Sequence, residues 1–300
     1  MTERIYCSEL ARSDRCVLHG SAVHVEVWLL IEYPRPWSPK ALVDNELSIE
    51  VNARLAELPE MLSQLGVKLR IQLIKHASSV DVDHPRIFVV DARSGNLRGG
   101  VLESYAEISQ LSEAVILGAE PLPGEKDISL GADDDLLLVC TNGQRDLCCA
   151  RFGLPVFETL ASAYGLRVWQ TTHIGGHRYA PNLVCLPSGI VYGHVYPDQA
   201  SDLVARHDAG EVVLENLRGC SALSGAAQAA EYYVLAEIGA TQVIELTRDG
   251  TDVFQWWCRK TGDKGMVTVA AREISGIIAS CGADPKTDYE YELVDLQRRS

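Results

Sequence analysis

The chain has 300 residues and a mass of 32.8 kDa, with 47% hydrophobic and 23% charged residues. This size favours about two domains, and the composition excludes a disordered, collagen-like or coiled-coil protein. Acidic residues number 41 and basic residues 27, which gives a formal net charge of −14. That charge repels phosphate, so we expect neither nucleic-acid nor anionic-membrane binding, whereas solubility and a basic protein partner both fit it.

The amino-terminal segment MTERIYCSELARSD carries charges and no apolar core, which is not typical of a secretory signal. The longest apolar runs, 27–31 and 136–140, are far too short to span a membrane. The chain has nine cysteines, and an odd number argues against a disulfide framework. We therefore expect a cytoplasmic protein whose reduced thiols are core residues or ligands.

The first 125 residues predict a flanking α/β region. A strand is expected over 22–33, and apolar side chains at helical spacing predict a helix over 45–65. Asn45 is its candidate cap, and Pro59 is expected to break or kink it. Further strands are predicted over 67–74, 86–91 and 101–105.

An acidic connector is expected over 106–135, with a domain boundary near residue 125. Between residues 81 and 135 there are twelve acidic and four basic residues, and this segment ends in GADDD. A solvated linker is the simpler interpretation of this charge, and a docking surface for a basic partner is the alternative.

The pattern becomes regular after the connector and predicts a small thioredoxin-like sandwich over 126–215. Its expected elements are a strand over 136–140, a loop over 141–152, a helix over 155–164 that begins with Pro155, a strand over 166–172, a hairpin over 182–186 and 190–194, and a helix over 198–207. The remaining 216–300 predict a small α+β region. Its elements are a helix over 224–238, strands over 242–247, 253–258 and 266–272, and an exposed terminus.

Four candidate ligands lie in the two loops that leave the strand ends of the central domain: Cys140, Cys149, His173 and His177. The cysteines have the spacing C-x8-C and the histidines H-x3-H. Because loops at the carboxyl ends of adjacent strands converge, all four are expected at one centre. Gly175 and Gly176 argue against a helix between the histidines and favour a tight turn that aims both imidazoles inward.

Two thiolates and two imidazoles suit tetrahedral zinc, or an iron–sulfur cluster in which two histidines replace two cysteines on one iron. Structural zinc modules usually place the first two cysteines two to four residues apart. The eight-residue gap between Cys140 and Cys149 is large for such a module and natural for a loop around a two-iron cluster.

The segments CTNGQRDLCC and THIGGHRYAPN resemble the sucrase/ferredoxin-like family of thioredoxin-fold [2Fe–2S] proteins. The family pattern runs C-x-H-G-x-R-D-x-x-C and then H-[IV]-G-G-H-[RK]-[FY]-A-[GP]-N. The matching positions are Cys140, Gly143, Arg145, Asp146, Cys149, His173, Gly175, Gly176, His177, Tyr179, Ala180 and Asn182. The match is specific over about 136–215 and looser over most of the remaining chain. The resemblance implies that 126–215 is a thioredoxin-like ferredoxin domain. It also implies electron transfer through a [2Fe–2S] cluster with these ligands: Cys140, Cys149, His173 and His177.

The chain departs from the family pattern at two positions. Asn142 stands where the family often has histidine, and Cys148 stands where a basic residue is common. Cys148 is therefore an alternative ligand to Cys149, although Cys149 keeps the family spacing. Arg145 and Asp146 are candidates to hold the ligand loop by an ion pair or to donate to cluster sulfurs, and Arg178 is a candidate for the same role.

The other thiols and imidazoles have simpler interpretations. Cys185, Cys258 and Cys281 lie in or near apolar strands and are expected to be core thiols. Four residues near the start, Cys7, Cys16, His19 and His24, suggest a second metal site, but surface or core positions are the simpler expectation.

These observations predict a carrier of single electrons rather than an enzyme with its own substrate, working with an unidentified redox protein partner. Neutral imidazole ligands predict a higher reduction potential than an all-cysteine cluster, and a titrating imidazole predicts a pH-dependent one. A zinc-stabilised or metal-free thioredoxin-fold interaction module is the alternative function. A thiol oxidoreductase that uses Cys148 and Cys149 is a third, but it lacks the C-x-x-C spacing.

Overall fold

The computed structural model describes residues 6–79, 83–126, 135–239, 241 and 244–299. Contacts divide the chain into two compact units. The central unit consists of Val25–Ile174 and Leu183–Gly189, and the terminal unit of Met1–His24, Gly175–Asn182 and Ile190–Ser300. Residue 125 lies inside the central unit, and the three predicted regions, 1–125, 126–215 and 216–300, stay a prediction.

The described residues form an α/β fold, which confirms the predicted class. The helices are α1 (Cys7–Ser13), α2 (Ile49–Gln64), α3 (Glu113–Ile116), α4 (Leu147–Tyr164), α5 (Pro197–Asp208) and α6 (Gly225–Ile238). The strands are β1 (Val27–Glu32), β2 (Leu69–Lys75), β3 (Arg86–Asp91), β4 (Asn96–Val101), β5 (Leu136–Cys140), β6 (Val168–Thr171), β7 (Leu183–Leu186), β8 (Ile190–Tyr192), β9 (Leu217–Cys220), β10 (Ile244–Arg248), β11 (Val253–Cys258), β12 (Lys264–Ile277) and β13 (Lys286–Arg299).

Seven strands pair side by side in the central unit, in the order β4-β3-β1-β2-β6-β5-β7. The pairs β1–β2 and β5–β6 are parallel, and each is connected through a helix, α2 or α4. The other pairs are antiparallel. Strand β5, helix α4, strands β6, β7 and β8 and helix α5 follow one another in the order predicted for the thioredoxin-like ferredoxin domain.

Helix α2 begins later than predicted. Ser48 caps it, because its side chain accepts a hydrogen bond from the amide of Val51, so the expected cap at Asn45 is wrong. Pro59 lies inside the helix and does not end it. The buried face of α2, which includes Leu55 and Leu62, joins β1 in one hydrophobic cluster.

Helix α4 corrects the expected loop over 141–152. The helix begins at Leu147, where the Asp146 side chain accepts a hydrogen bond from the amide of Cys148. Pro155 lies within the helix rather than in its first turn. Cys148 and Cys149 are therefore helical residues, and both are buried.

Part of the predicted connector forms regular secondary structure. A 3-10 turn (Tyr105–Gln110) and the short helix α3 occupy its first part, and both contribute side chains to the hydrophobic core of the central unit. The acidic sequence GADD, residues 131–134, lies outside the described residues. Among the described helices, none is long and apolar enough to cross a membrane.

The terminal unit contains the antiparallel pair β8–β9 and a four-stranded antiparallel sheet in the order β10-β11-β12-β13. Alanines on α6 form a hydrophobic cluster with Phe254, Trp256 and Val267 of that sheet. Strand β12 runs past the predicted end at residue 272, and the expected exposed terminus is strand β13. Charged and apolar side chains alternate from Asp288 to Leu293, a strand signal that the expectation of an exposed terminus overlooked.

Candidate metal centre

Cys140 and Cys149 reach one place because β5 and α4 are adjacent along the chain. Cys140 is the last residue of β5, and Cys149 lies in the first turn of α4. Gly153 lets the helix lie directly on the strand end, since a Cβ at this position would be 2.2 Å from the carbonyl oxygen of Cys140. Both thiols are buried.

His173 completes a group of three candidate ligands. It follows β6, and its Nδ1 lies 3.8 Å from Sγ of Cys149 and 4.0 Å from Sγ of Cys140. All three ligand atoms lie within 4.8 Å of one another. The Nη2 of Arg70 on β2 donates a 2.7 Å hydrogen bond to the carbonyl oxygen of His173, which fixes the backbone at the ligand.

The two thiols share their protons unequally. A hydrogen bond from the Cys149 thiol lowers the pKa of Cys140 well below its usual value, and His173 acts in the same direction against the effect of burial. The pKa of Cys149 is raised, first by the hydrogen bond that it donates to Cys140 and then by burial. One thiolate therefore forms readily, and a second one requires an added positive charge such as a metal ion.

The loop between β5 and α4 carries Arg145 and Asp146. The Asp146 carboxylate is buried and accepts a 2.9 Å hydrogen bond from the amide of Cys148, so it caps the helix that carries Cys149. Arg145 is exposed, and its amide donates to the side-chain oxygen of Asn142. Asn142 is buried and its side chain donates to the carbonyl of Ser38, which ties this loop to the segment after β1.

His177 belongs to the terminal unit, where it begins a 3-10 turn (His177–Tyr179). Gly175 and Gly176 have φ values of 93° and 74°, so the tight turn expected from the glycine pair is present. Arg218 on β9 donates a 3.1 Å hydrogen bond to the carbonyl oxygen of Gly175, and its guanidinium nitrogen would meet a Cβ on Gly176 at 2.5 Å. The backbone around His177 is thus held by a buried arginine.

Arg178, the third residue predicted beside the ligands, is also buried. Its guanidinium pairs with the Asp288 carboxylate on β13 at 3.2 Å and donates to the hydroxyl of Tyr179. These contacts attach the 3-10 turn of His177 to the sheet of the terminal unit. The action of Arg145, Asp146 or Arg178 on a bound group stays a prediction.

Arg70 and Arg218 were not predicted as functional residues. Arg70 lies in strand β2 and Arg218 in strand β9, and each donates to a backbone carbonyl beside a candidate ligand. The only sequence signal is a single arginine within an apolar strand, and it does not reveal the acceptor. Their acceptors are 103 and 43 residues away in the chain.

The remaining cysteines and histidines occupy varied environments. Cys185 and Cys258 are buried, as expected, whereas Cys281 is half-buried and its Sγ lies 3.7 Å from Sγ of Cys7. The ring of His19 stacks on Tyr232 with centroids 4.0 Å apart, which indicates a packing role for this histidine.

Comparison with known proteins gives one family. Residues 18–219, about two thirds of the chain, match the family described as Sucrase/ferredoxin-like. Among curated proteins, the chain is 30% identical over 106 residues to Altered inheritance of mitochondria protein 32 of Meyerozyma guilliermondii, covering 32% of this chain and 36% of that protein. The protein of the same name from Debaryomyces hansenii is 33% identical over 93 residues, covering 28% of this chain and 34% of that protein. The chain thus spans about a third of the length of these relatives.

Two similar solved structures come from Aquifex aeolicus. One is a thioredoxin-like [2Fe–2S] ferredoxin, 22% identical, covering 29% of this chain and 91% of that one, with a TM-score of 0.25. The other is the Cys55Ser variant of this ferredoxin, 21% identical, covering 28% of this chain and 96% of that one, also with a TM-score of 0.25.

Proposed function

The chain belongs to the sucrase/ferredoxin-like family, and from this membership and the ligand group in the central unit we propose that it is an electron carrier with one [2Fe–2S] cluster. The observation that carries the proposal is the group of two buried sulfurs and one imidazole nitrogen within 4.8 Å of one another. The donor set fits an iron–sulfur group, because thiolates and imidazoles are the ligands that such clusters accept.

Cys140, Cys149 and His173 are the three ligands that the geometry supports, and His177 is the fourth by the family pattern. A cluster bound there would accept and release single electrons, and neutral imidazoles would raise its reduction potential above that of an all-cysteine cluster. The protein's own residues orient the ligands: Asp146 caps the helix of Cys149, and Arg70 holds the backbone of His173. Imidazole nitrogens not bound to iron would take up a proton with the electron.

A zinc site is the second candidate, and the distances between the candidate ligand atoms favour it. Zinc bonds of about 2.3 Å to sulfur and 2.0 Å to nitrogen place the two ligand atoms about 3.5 Å apart in a tetrahedron. The observed distances from His173 Nδ1 to the two sulfurs, 3.8 and 4.0 Å, are close to this value.

Spectra and metal analysis distinguish the two candidates. Protein purified without oxygen should be red-brown, bleach partly with dithionite and contain about two iron atoms and two acid-labile sulfides per chain. A colourless protein with one zinc ion per chain would instead establish the zinc-stabilised module. Cys140→Ser should lose the bound metal, and Cys185→Ser, a buried cysteine outside the ligand group, should keep it.

The redox partner and the location are further parts of the proposal. We propose that electrons pass to or from another protein, because a carrier has no substrate of its own. We also propose that the protein works in the cytoplasm. The curated relatives are named for mitochondrial inheritance, so fractionation of cells into cytosol and mitochondria is the direct test of location.

A further inference from the structure

Two thiols of the terminal unit lie in contact although the chain places them far apart. Sγ of Cys7, on α1, is 3.7 Å from Sγ of Cys281, and 274 residues separate them. Cys281 lies in the connection between β12 and β13. A disulfide bond is about 2.05 Å long, so the sulfurs need to approach by about 1.7 Å.

Cys7 lies on an element that contacts the segment of His177, and Cys281 lies in the connection that leads into another such element, β13. The Ser8 hydroxyl on α1 donates to the carbonyl oxygen of Ala180. On the other side, Asp288 of β13 pairs with Arg178 at 3.2 Å. The 3-10 turn of His177 is therefore attached to α1 by a hydrogen bond and to β13 by an ion pair.

We propose that Cys7 and Cys281 form a reversible disulfide that locks together the two elements flanking the His177 segment, with a small-molecule disulfide such as oxidised glutathione as the oxidant. The bond itself does not depend on a metal. Its effect on the ligand His177 rests on the proposed function.

The difference in exposure sets the order of the two exchange steps. Cys281 is half-buried and Cys7 is buried, so Cys281 is the thiol that a small molecule reaches. Its thiolate attacks one sulfur of oxidised glutathione, the S–S bond of glutathione breaks, and one glutathione thiolate leaves. The Cys7 thiolate then attacks the Cys281 sulfur of the mixed disulfide and releases the second glutathione. Two protein thiols are oxidised to one disulfide, and their protons end on two glutathione thiols.

The bond would stabilise the terminal unit through the chain that it closes. A cross-link between distant residues lowers the entropy of the unfolded chain, and the loop here is nearly the full length of the protein. A half-exposed disulfide is also reducible, so it suits a reversible role in a compartment that keeps thiols reduced.

Peptide mapping tests the proposal on the full chain. Reduced protein is equilibrated with oxidised glutathione, remaining thiols are alkylated, and the non-reduced digest is examined by mass spectrometry. We expect a peptide pair that joins Cys7 to Cys281 in the wild type and in Cys16→Ser, a control at another half-buried cysteine of the same unit, and its absence in Cys281→Ser. Oxidation should raise the unfolding midpoint of the first two proteins by about 5 °C and leave Cys281→Ser unchanged.

Three results would overturn the proposal: thiols that stay reduced at equilibrium, a disulfide that joins Cys7 or Cys281 to a third cysteine, or a zinc ion whose removal by chelator is needed before either thiol is alkylated.

Iron and sulfide contents are measured on the same samples. A mapped disulfide in protein without iron would refute the cluster and leave the disulfide standing, and an iron-loaded protein without the disulfide would do the reverse. In iron-loaded protein, oxidation should slow iron release to a chelator several-fold.

Discussion

Sγ of Cys149 lies 3.8 Å from Nδ1 of His173, although 24 residues separate them in the chain. The contact exists because Cys149 occupies the first turn of α4 and His173 follows β6, the strand that comes after this helix. The position of the helix start thus makes Cys149 a ligand candidate.

The same helix start predicts that Cys149, and not Cys148, binds the metal. Successive helical residues point about 100° apart, so adjacent cysteines cannot both face His173. We expect Cys149→Ser to lose most of the bound metal and Cys148→Ser to retain it, measured as metal content per folded chain. Loss in Cys148→Ser with retention in Cys149→Ser would assign the ligand to Cys148.

The closeness of the candidate ligands Cys140 and His173 was predictable because both lie at strand ends. Strand β5 shows as an apolar run, Cys140 ends it, and the loop after the next strand carries His173. The glycine pair before His177 predicted a turn, and its positive φ values confirm one. Each of these features depends on a few neighbouring residues.

The start of α4 was not predictable from the same local signals. Asp146 is a good cap, but the residues that follow it, Leu147, Cys148 and Cys149, provide no acidic partner in the first turn, and Pro155 suggests a later start. The hydrogen bond of Arg70 to His173 was beyond reach for a different reason, since it crosses from one strand to the end of another, 103 residues later.

Replacing His173 with cysteine should lower the reduction potential, a prediction that rests on the proposed cluster. A thiolate adds negative charge where an imidazole is neutral, so we expect a decrease of roughly 200 mV or more. The change of midpoint potential with pH should also weaken, because one titrating imidazole is lost. Redox titrations from about pH 6 to 9 check both effects, with His84→Gln as an exposed control. A pH-independent wild-type midpoint would contradict histidine ligation.

Gly143 and Ala150 form a steric pair that a double substitution can test. A Cβ on Gly143 would lie 2.5 Å from Cβ of Ala150. Gly143→Ala should therefore displace the ligand loop from α4, cost about 1–3 kcal/mol of stability and reduce metal content. Ala150→Gly alone should cost about 1 kcal/mol from its helical position. Unfolding curves of the double variant should show recovery relative to Gly143→Ala, and additive losses would show that the contact is not limiting.

Glu231 on α6 should make the terminal unit less stable at alkaline pH. Burial raises the pKa of this carboxyl to about 7. The folded state then holds the proton more tightly than the unfolded state, so the stabilisation is complete below about pH 4.5 and is lost as the pH rises through 7. Glu231→Gln should stabilise the protein at pH 8 and have little effect at pH 4.5, measured by thermal unfolding. Glu237→Gln, at an exposed position of the same helix, should change neither value.

His19 should have the opposite dependence on pH. Burial against the tyrosines lowers the pKa of its imidazole from 6.5 to about 4. The unfolded state binds the proton more tightly, so stability is full above about pH 6.5 and falls as the pH drops towards 4. After allowance for its partial exposure, the loss is about 2 kcal/mol. His19→Gln should flatten the decrease of the unfolding midpoint between pH 7 and 4.5, whereas His84→Gln should leave it as in the wild type. An equal slope in His19→Gln would show that the imidazole is already solvated in the folded state.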